Sequence, residues 1–195
     1  MRIGYLGAGT WGFTLAGLLA SKGHEVVLWT ASEEFAKLLH KKKEHPKLSH
    51  YKVQEGLTVT PHLKEALSSI DFLVESVTAM GIRPVFEQVL AEGPLKCPIV
   101  ITSKGIEQNS GLLLPEVVLE VLGQESKNQI SCLSGPSHAE EVIQKLPTSI
   151  VSASYDAQLR GRVGELFTTP FFRVYPNADL NGVAFGGAMK NIIAI

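Results

Sequence analysis

The first 22 residues constrain the fold more strongly than any other stretch of the chain. Residues 3–6 are a short apolar run whose length suits a buried parallel strand. The sequence GAGTWG at residues 7–12 follows and matches G-x-G-x-x-G, after which leucines recur at helical spacing. A Gly-rich turn alone is common in proteins. The prediction of a dinucleotide-binding site therefore depends on the strand before this turn and the helix after it.

Each glycine of this turn has a physical role. Gly7 allows the tight turn out of the strand, Gly9 lets a pyrophosphate approach the backbone, and Gly12 lets the helix pack closely on the strand. The free N–H groups and the positive dipole end of the helix favour phosphate groups. The turn therefore predicts a cofactor such as NADH or NADPH.

The end of the second predicted strand, residues 25–29, bears on the choice between these two cofactors. NAD-selective sites usually place an Asp or Glu here to bond the ribose 2′-OH, whereas this sequence has Thr30, Ala31 and Ser32. The missing carboxylate removes a repulsion against a 2′-phosphate, but no adjacent Arg attracts one. Ser32 is either a hydrogen-bonding partner of the cofactor or the N-cap of the next helix, so NADH and NADPH both remain open.

Strands and helices alternate along the chain at intervals of ~20–30 residues, which predicts a doubly wound, mainly parallel α/β sheet of Rossmann type. The predicted strands span residues 3–6, 25–29, 57–60, 71–77, 98–102, 129–133, 148–153 and 171–175. Residues 45–56 have no clear period and are predicted as a loop. Glu75 is expected to face a cleft or water near the end of its strand, because a buried carboxylate is costly.

Two polar segments follow predicted strands, at the edge of the sheet where ligands bind. The segment 103–105 comes directly after residues 98–102, and its Lys104 is either a ligand for an anionic group or a surface lysine on a loop. Ser137 follows the strand 129–133 and is three residues before Glu140, which is the spacing of a capping box. Ser137 is either only a cap or part of a second helix start that faces the same cleft. His138 receives no catalytic assignment.

The last predicted helix, residues 183–195, is small and apolar and carries one charge, Lys190. An ammonium group there is costly to bury unless an anion or a polar cavity receives it. Asn191 is adjacent and points about 100° away around the helix. The sequence stops within this helix. We expect residues 1–178 to form a cofactor-binding domain and residues 179–195 to begin an all-helical second domain that this chain lacks.

Composition narrows the class of protein. The 195 residues carry a net charge of −1 at pH 7, so no basic excess indicates nucleic acid or an anionic membrane as a partner. No apolar run reaches the ~18 residues of a membrane span, and the Gly-rich turn interrupts any signal peptide. Cys97 and Cys132 lack the spacing of metal ligands or of a redox pair. We therefore predict reduced thiols, no metal site and a cytoplasmic protein.

Five motifs together resemble one family, the NAD(P)-dependent glycerol-3-phosphate dehydrogenases of bacterial type. The similar segments run in the same order over all 195 residues. They are GAGTWG at 7–12, SKGIE at 103–107, SGPSHAEEV at 134–142, TTPFFRVYPNAD at 168–179 and GVAFGGAMKNIIAI at 182–195. The last three are far more specific than the glycine motif.

The resemblance implies roles for individual residues. The cofactor would be bound by Gly7, Gly9, Thr10, Trp11, Gly12, Ala31, Lys104 and Ala139. The substrate would be bound by Lys104, Gly135, Ser137, Lys190 and Asn191. Lys190 would be the catalytic acid/base that protonates dihydroxyacetone phosphate as it is reduced to sn-glycerol 3-phosphate, a reversible reaction that supplies glycerophospholipid synthesis. A homodimer is compatible with the resemblance for the complete protein.

Two alternatives remain open at the level of sequence. One is a related hydroxy-acid or hydroxyacyl dehydrogenase, and the other is a dinucleotide-binding module or fragment without turnover. The family's helical C-terminal domain is absent here, which favours the second alternative for this chain. Ala31 stands where many family members carry His or Arg, so the resemblance does not decide between NADH and NADPH.

Overall fold

The computed structural model describes the backbone of residues 1–193 and the side chains of residues 1–48 and 50–190. The strands are β1 Arg2–Leu6, β2 Glu25–Trp29, β3 Glu44–His45, β4 Leu48–Lys52, β5 Leu57–Thr60, β6 Phe72–Glu75, β7 Ile99–Ile101, β8 Ile130–Ser134, β9 Thr148–Ser154 and β10 Phe172–Asn177. The helices are α1 Thr10–Ser21, α2 Glu33–Lys42, α3 Leu63–Ala66, α4 Ile82–Glu92, α5 Leu114–Leu122, α6 Ala139–Ile143, α7 Ala157–Phe167 and α8 Leu180–Ile193. Two short 3₁₀ helices span Ala79–Gly81 and Gln124–Gln129.

Eight strands form one sheet in the order β10-β9-β8-β7-β6-β1-β2-β5. The chain moves outward from β1 on one side and from β6 on the other, which confirms the predicted doubly wound topology. Every neighbouring pair is parallel except β8 and β9, which are antiparallel. The carboxyl ends of β1, β2 and β5 to β8 therefore meet at one edge of the sheet, whereas those of β9 and β10 lie at the opposite edge.

Helices cover both faces of the sheet, because its central strands are apolar on both sides. One apolar cluster joins the sheet to α1 and α7 and includes Leu15, Leu19 and Phe167. The other joins it to α3, α4 and α5 and includes Phe86 and Val117. Cys97 and Cys132 are both buried and form no disulfide with each other. Within residues 1–193, no helix combines the length and the apolar character needed to cross a membrane.

The predicted loop at residues 45–56 is wrong in part. β3 and β4 pair there as an antiparallel hairpin outside the main sheet. The His45 side chain is buried between Phe13 and Phe35, with ring centroids 5.3 Å and 5.5 Å away. A strand of two residues is too short to show alternation in the sequence, so tertiary packing of His45 decides this element.

The expectation for Glu75 is also wrong. Glu75 is the last residue of β6, but its side chain is completely buried rather than turned to a cleft or to water. One carboxyl oxygen lies within hydrogen-bond distance of the Val77 N–H and the Ser103 hydroxyl, and these contacts replace part of its lost hydration. This carboxyl lies directly under the segments that follow β6 and β7.

Candidate functional site

A cleft of about 340 Å³ opens at the sheet edge where the carboxyl ends of β1, β6, β7 and β8 meet. This is the position at which doubly wound sheets bind their ligands, because the chain leaves β1 and β6 in opposite directions. The lining residues come from the loops after these strands and from the starts of α1 and α6. They are Thr10, Trp11, Ser76, Val77, Thr102, Ser103, Lys104, Ser137, His138, Ala139 and Glu140.

The glycine turn, residues 7–12, forms one end of this cleft. Gly7 has φ +99°, and an added Cβ would lie 2.6 Å from the Ser76 carbonyl oxygen. An added Cβ on Gly12 would overlap the Gly7 carbonyl oxygen, so α1 can pack on the turn only without a side chain there. By contrast, a Cβ on Gly9 would have no neighbour within 4 Å. Of the three glycines of this turn, Gly9 is therefore the one with open space beside its Cα.

The start of α1 fits a bound phosphate. Gly9 is the N-cap of this helix and provides no side chain to bond the N–H groups of the first turn. The indole Nε1 of Trp11 is buried, and no described residue accepts its hydrogen bond. Free backbone donors and a positive helix end together suit an anion such as a pyrophosphate.

Lys104 extends from the loop after β7 into the same cleft. Its Nζ donates a hydrogen bond to Ser137 Oγ at 3.1 Å and lies 5.0 Å from the centre of the Trp11 ring. Burial, together with the charge of Lys190, lowers the pKa of Lys104 to about 8. The amine is thus protonated at neutral pH but loses its proton more readily than an ordinary lysine.

Lys190 reaches Ser137, one of the cleft-lining residues, from α8. Its Nζ donates a hydrogen bond to the Ser137 carbonyl oxygen at 2.8 Å. Gly187, one turn earlier in α8, makes this approach possible, because a Cβ there would overlap Ser134 Oγ at the end of β8. The two lysines therefore converge on one residue, Lys104 at its hydroxyl and Lys190 at its carbonyl group.

The predicted capping box at Ser137 is wrong. The N-cap of α6 is His138, and no side chain caps this helix. The Ser137 hydroxyl instead accepts the hydrogen bond from Lys104 and donates one to the Gly135 carbonyl oxygen at 3.3 Å. The serine belongs to the polar wall of the cleft, which was the alternative left open by its sequence position.

Two predicted site residues, Ala31 and Gly135, lie away from the residues that line the cleft. Ala31 is exposed in the turn after β2, and the neighbouring Ser32 caps α2 by accepting the Phe35 N–H at 3.1 Å. Gly135 packs on β9, where an added Cβ would lie 3.2 Å from Ile150 Cα. The Asn191 side chain lies outside the described residues. The roles assigned to these residues, and to the other predicted site residues, stay predictions.

Sequence reasoning missed the residues beneath and beside Lys104. Ser76 and Thr102 line the cleft and bond each other, and Ser76 also bonds the buried Tyr5 hydroxyl at 2.7 Å. Burial raises the pKa of Tyr5 above its usual range. Ser76 and Thr102 directly follow β6 and β7 in the structure, whereas the predicted strands 71–77 and 98–102 include them, so the strand ends that would have marked these residues were placed too late. Among the described residues there is no cluster of three or more His, Cys, Asp or Glu side chains that could hold a metal.

Comparisons with known proteins identify the family of this chain. The sequence profile of the family described as "NAD-dependent glycerol-3-phosphate dehydrogenase N-terminus" matches residues 2–160. The "Glycerol-3-phosphate dehydrogenase [NAD(P)+]" of Protochlamydia amoebophila is 57% identical over 194 residues, which are 100% of this chain and 58% of that protein. The Chlamydia pneumoniae protein of the same name is 49% identical, with the same coverage.

A solved structure gives the same result. The crystal structure of glycerol-3-phosphate dehydrogenase from Coxiella burnetii matches with a TM-score of 0.90 and 33% sequence identity. The match covers 99% of this chain and 58% of that chain. This chain therefore spans 58% of the length of the relatives that it matches. On the profile match and these identities, the chain belongs to the NAD-dependent glycerol-3-phosphate dehydrogenase family.

Proposed function

We propose that this chain supplies the dinucleotide-binding part and the proton-donating lysine of an NAD(P)-dependent glycerol-3-phosphate dehydrogenase. The reaction is the reversible reduction of dihydroxyacetone phosphate to sn-glycerol 3-phosphate. The observation that carries this proposal is the convergence of Lys104 and Lys190 on Ser137, beside the glycine turn. The names of the curated relatives support the substrate and the cofactor.

The chemistry divides between the cofactor and the chain. NADH or NADPH, when bound, supplies the hydride to the carbonyl carbon of the substrate. Lys190 donates a proton to the carbonyl oxygen, so that the ketone becomes a secondary alcohol and the amine is left neutral. In the oxidative direction the neutral amine takes this proton back. Lys190 currently bonds the Ser137 carbonyl oxygen, and this bond holds its amine at the wall of the cleft.

Lys104 supplies charge rather than a proton. With a pKa of about 8 it is mainly an ammonium group at neutral pH, and it faces the cleft that contains the glycine turn. A phosphorylated substrate and a dinucleotide both bring negative charge into this cleft. The hydrogen bond to Ser137 Oγ and the Trp11 ring hold the amine in place without neutralising it.

The wider assignments follow from the same proposal. Residues 1–178 form the cofactor-binding domain, and residues 179–195 begin a second domain that completes the substrate site. The reaction supplies glycerophospholipid synthesis in the cytoplasm, and the complete protein is a homodimer. The net charge of −1 provides no basic excess that would favour nucleic acid as a partner, so the small anionic substrate is held by local lysines.

Calorimetric titration of the chain with NADH and NADPH, followed by a spectrophotometric assay, tests the proposal. We expect saturable binding of at least one dinucleotide by this chain. We expect turnover of dihydroxyacetone phosphate, but not of β-hydroxy acids, by the protein at the full length of its relatives. If this chain and the protein at the full length of its relatives both bind a dinucleotide but neither shows turnover, a binding module is favoured. Absence of dinucleotide binding would contradict the proposal. The ratio of the two affinities decides the cofactor preference that Ala31 leaves open.

A further inference from the structure

We propose that Glu75 is a positioning residue for Lys104: a buried carboxylic acid that, in its protonated form, donates a hydrogen bond to Ser103 and so fixes the turn that carries the amine. The inference rests on the proposed function, because that function gives Lys104 its role in the cleft. It concerns a residue that neither the glycine motif nor the two-lysine arrangement requires.

The first argument is the cost of a charge at this position. Glu75 ends β6 in the middle of the sheet, between β1 and β7, and its side chain has no exposed surface. No described Lys, Arg or His forms a salt bridge with it. One carboxyl oxygen, Oε2, is buried without a described hydrogen-bond partner. An unpaired carboxylate in such surroundings is unstable relative to the neutral acid.

The second argument is a count of protons. Ser103 has one hydroxyl proton but lies 2.5 Å from each of two acceptors, Glu75 Oε1 and the Val77 carbonyl oxygen. If Glu75 is ionised, the proton can serve only one of them. If Oε1 carries a proton, Glu75 donates to Ser103 Oγ and Ser103 donates to Val77. The neutral acid therefore satisfies both contacts at once, and Oε1 still accepts the Val77 N–H.

The titratable groups around Glu75 do not offset a charge there. Tyr5 faces it from β1 and Cys132 from β8, and burial raises the pKa of both groups, that of Cys132 to about 12. Both are therefore neutral at neutral pH. The ammonium groups of Lys104 and Lys190 belong to the adjoining cleft and bond Ser137 instead. Burial raises the pKa of Glu75 to about 7, although the contacts with Ser103 and Val77 act to lower it.

The third argument is connection to Lys104. The Thr102 N–H and hydroxyl both donate to the Glu75 carbonyl oxygen, at 3.0 Å and 2.8 Å. The next residue, Ser103, bonds the Glu75 carboxyl group. The two residues before Lys104 are thus both bonded to Glu75: Thr102 to the main-chain carbonyl group of Glu75 and Ser103 to its carboxyl group. The backbone of Lys104 leaves this anchored pair and enters the cleft.

The experiment measures protonation and lysine position without a ligand. Infrared spectra over pH 5–9 detect the carbonyl band of a protonated carboxylic acid. The pH dependence of Lys104 acylation, followed by peptide mass spectrometry, gives the pH at which its amine loses the proton. The variants are Glu75→Gln, which is neutral and keeps a donor and an acceptor, Glu75→Ala and Ser103→Ala. Glu65→Gln is the matched control, because Glu65 accepts the Thr60 hydroxyl at 2.5 Å elsewhere on the chain.

We expect the wild-type chain to show a carboxylic acid band that disappears as the pH rises through about 7. The band should be absent in Glu75→Gln and kept in Glu65→Gln. The midpoint of Lys104 acylation should stay near 8 in Glu75→Gln. In Ser103→Ala and Glu75→Ala it should rise by at least about one pH unit, toward the ordinary lysine value of about 10.4.

Three results would overturn the inference: no carboxylic acid band, a Lys104 midpoint that rises in Glu75→Gln, or an unchanged midpoint in Ser103→Ala. If Glu75→Ala does not fold, the other two variants still decide. None of these measurements uses a dinucleotide, so they stand if the proposed function fails. Conversely, normal cofactor binding with an unchanged Lys104 midpoint in Ser103→Ala would reject only the role of Glu75.

Discussion

The two ends of the cleft are built in different ways. The glycine turn uses the backbone: three glycines and the uncapped start of α1 lie within six consecutive residues. The opposite end, which we call the lysine end, uses the side chains of Lys104 and Lys190 on Ser137, from three separate segments. Local covalent geometry fixes the first, and the topology of the sheet fixes the second. Substitutions should therefore affect the glycine turn through shape and the lysine end through charge and proton transfer.

The largest expected effect is at the lysine end. Lys190→Met should lower turnover by at least ~100-fold in the protein at the full length of its relatives, because the proposed general acid is lost. Steady-state assays with dihydroxyacetone phosphate measure this effect, and the exposed Lys96→Met is the control. Dinucleotide affinity should change little, since the glycine turn is intact. Near-normal turnover would remove Lys190 from the mechanism.

The next largest effect is on stability at the glycine turn. Gly12→Ala should lower the free energy of unfolding by about 2 kcal/mol, because the new Cβ overlaps the Gly7 carbonyl oxygen. Denaturant titration checks this, with Gly161→Ala in α7 as control, since a Cβ there meets nothing within 4 Å. Equal stability of the two variants would mean that Gly12 is not needed for close packing.

Gly9→Ala separates binding from stability in the same turn. Gly9 has φ −65° and ψ 178°, which alanine adopts without strain, so the melting temperature should hardly move. The added methyl group enters the open space that we assign to the pyrophosphate, and dinucleotide affinity should fall ~tenfold, which is about 1.4 kcal/mol. Calorimetry and thermal unfolding on the same samples test this. Unchanged affinity would place the phosphates elsewhere.

The smallest expected effect is a pH dependence at Lys104. As the pH rises through about 8 the wild-type amine loses its proton, and dinucleotide affinity should weaken roughly fivefold, or about 1 kcal/mol. Lys104→Arg keeps its charge over this range, so its affinity should be flat between pH 7 and 9.5. Fluorescence titrations at several pH values test this contrast. The same slope in both proteins would assign the titration to another group.

The difference between the two ends also explains what the sequence could predict. The glycine turn is contiguous, so its motif, its strand and its helix were all recognisable, and the doubly wound sheet followed from the same periodicity. For the lysine end, the resemblance to a family named Lys104, Ser137 and Lys190. The residues alone could not show that two amines meet at Ser137, because residues 104 and 190 are brought together only by the arrangement of strands and helices.

The errors arose where tertiary contacts override local pattern. Ser137 has the spacing of a cap, but its hydroxyl oxygen accepts a hydrogen bond from Lys104, a residue that is distant in sequence. Glu75 was expected at a cleft or in water, because a carboxylate prefers water; the Ser103 hydroxyl makes its burial possible. The hairpin β3–β4 depends on the packing of His45 between two rings. None of these partners is visible within a local window of sequence.

The reversal of β9 and β10 has a consequence for the length of α8. Because β10 points away from the cleft, the chain leaves it at the far edge and must travel back before any side chain can reach Ser137. At 1.5 Å per residue, the step from Leu180 to Lys190 covers about 15 Å. The number of residues in the helix therefore sets both how far Lys190 lies from Leu180 and, at about 100° per residue, the direction in which its side chain points. Insertion of one alanine between Leu180 and Lys190 would rotate the lysine side chain by about 100°, away from Ser137. The other groups of the site would stay in place.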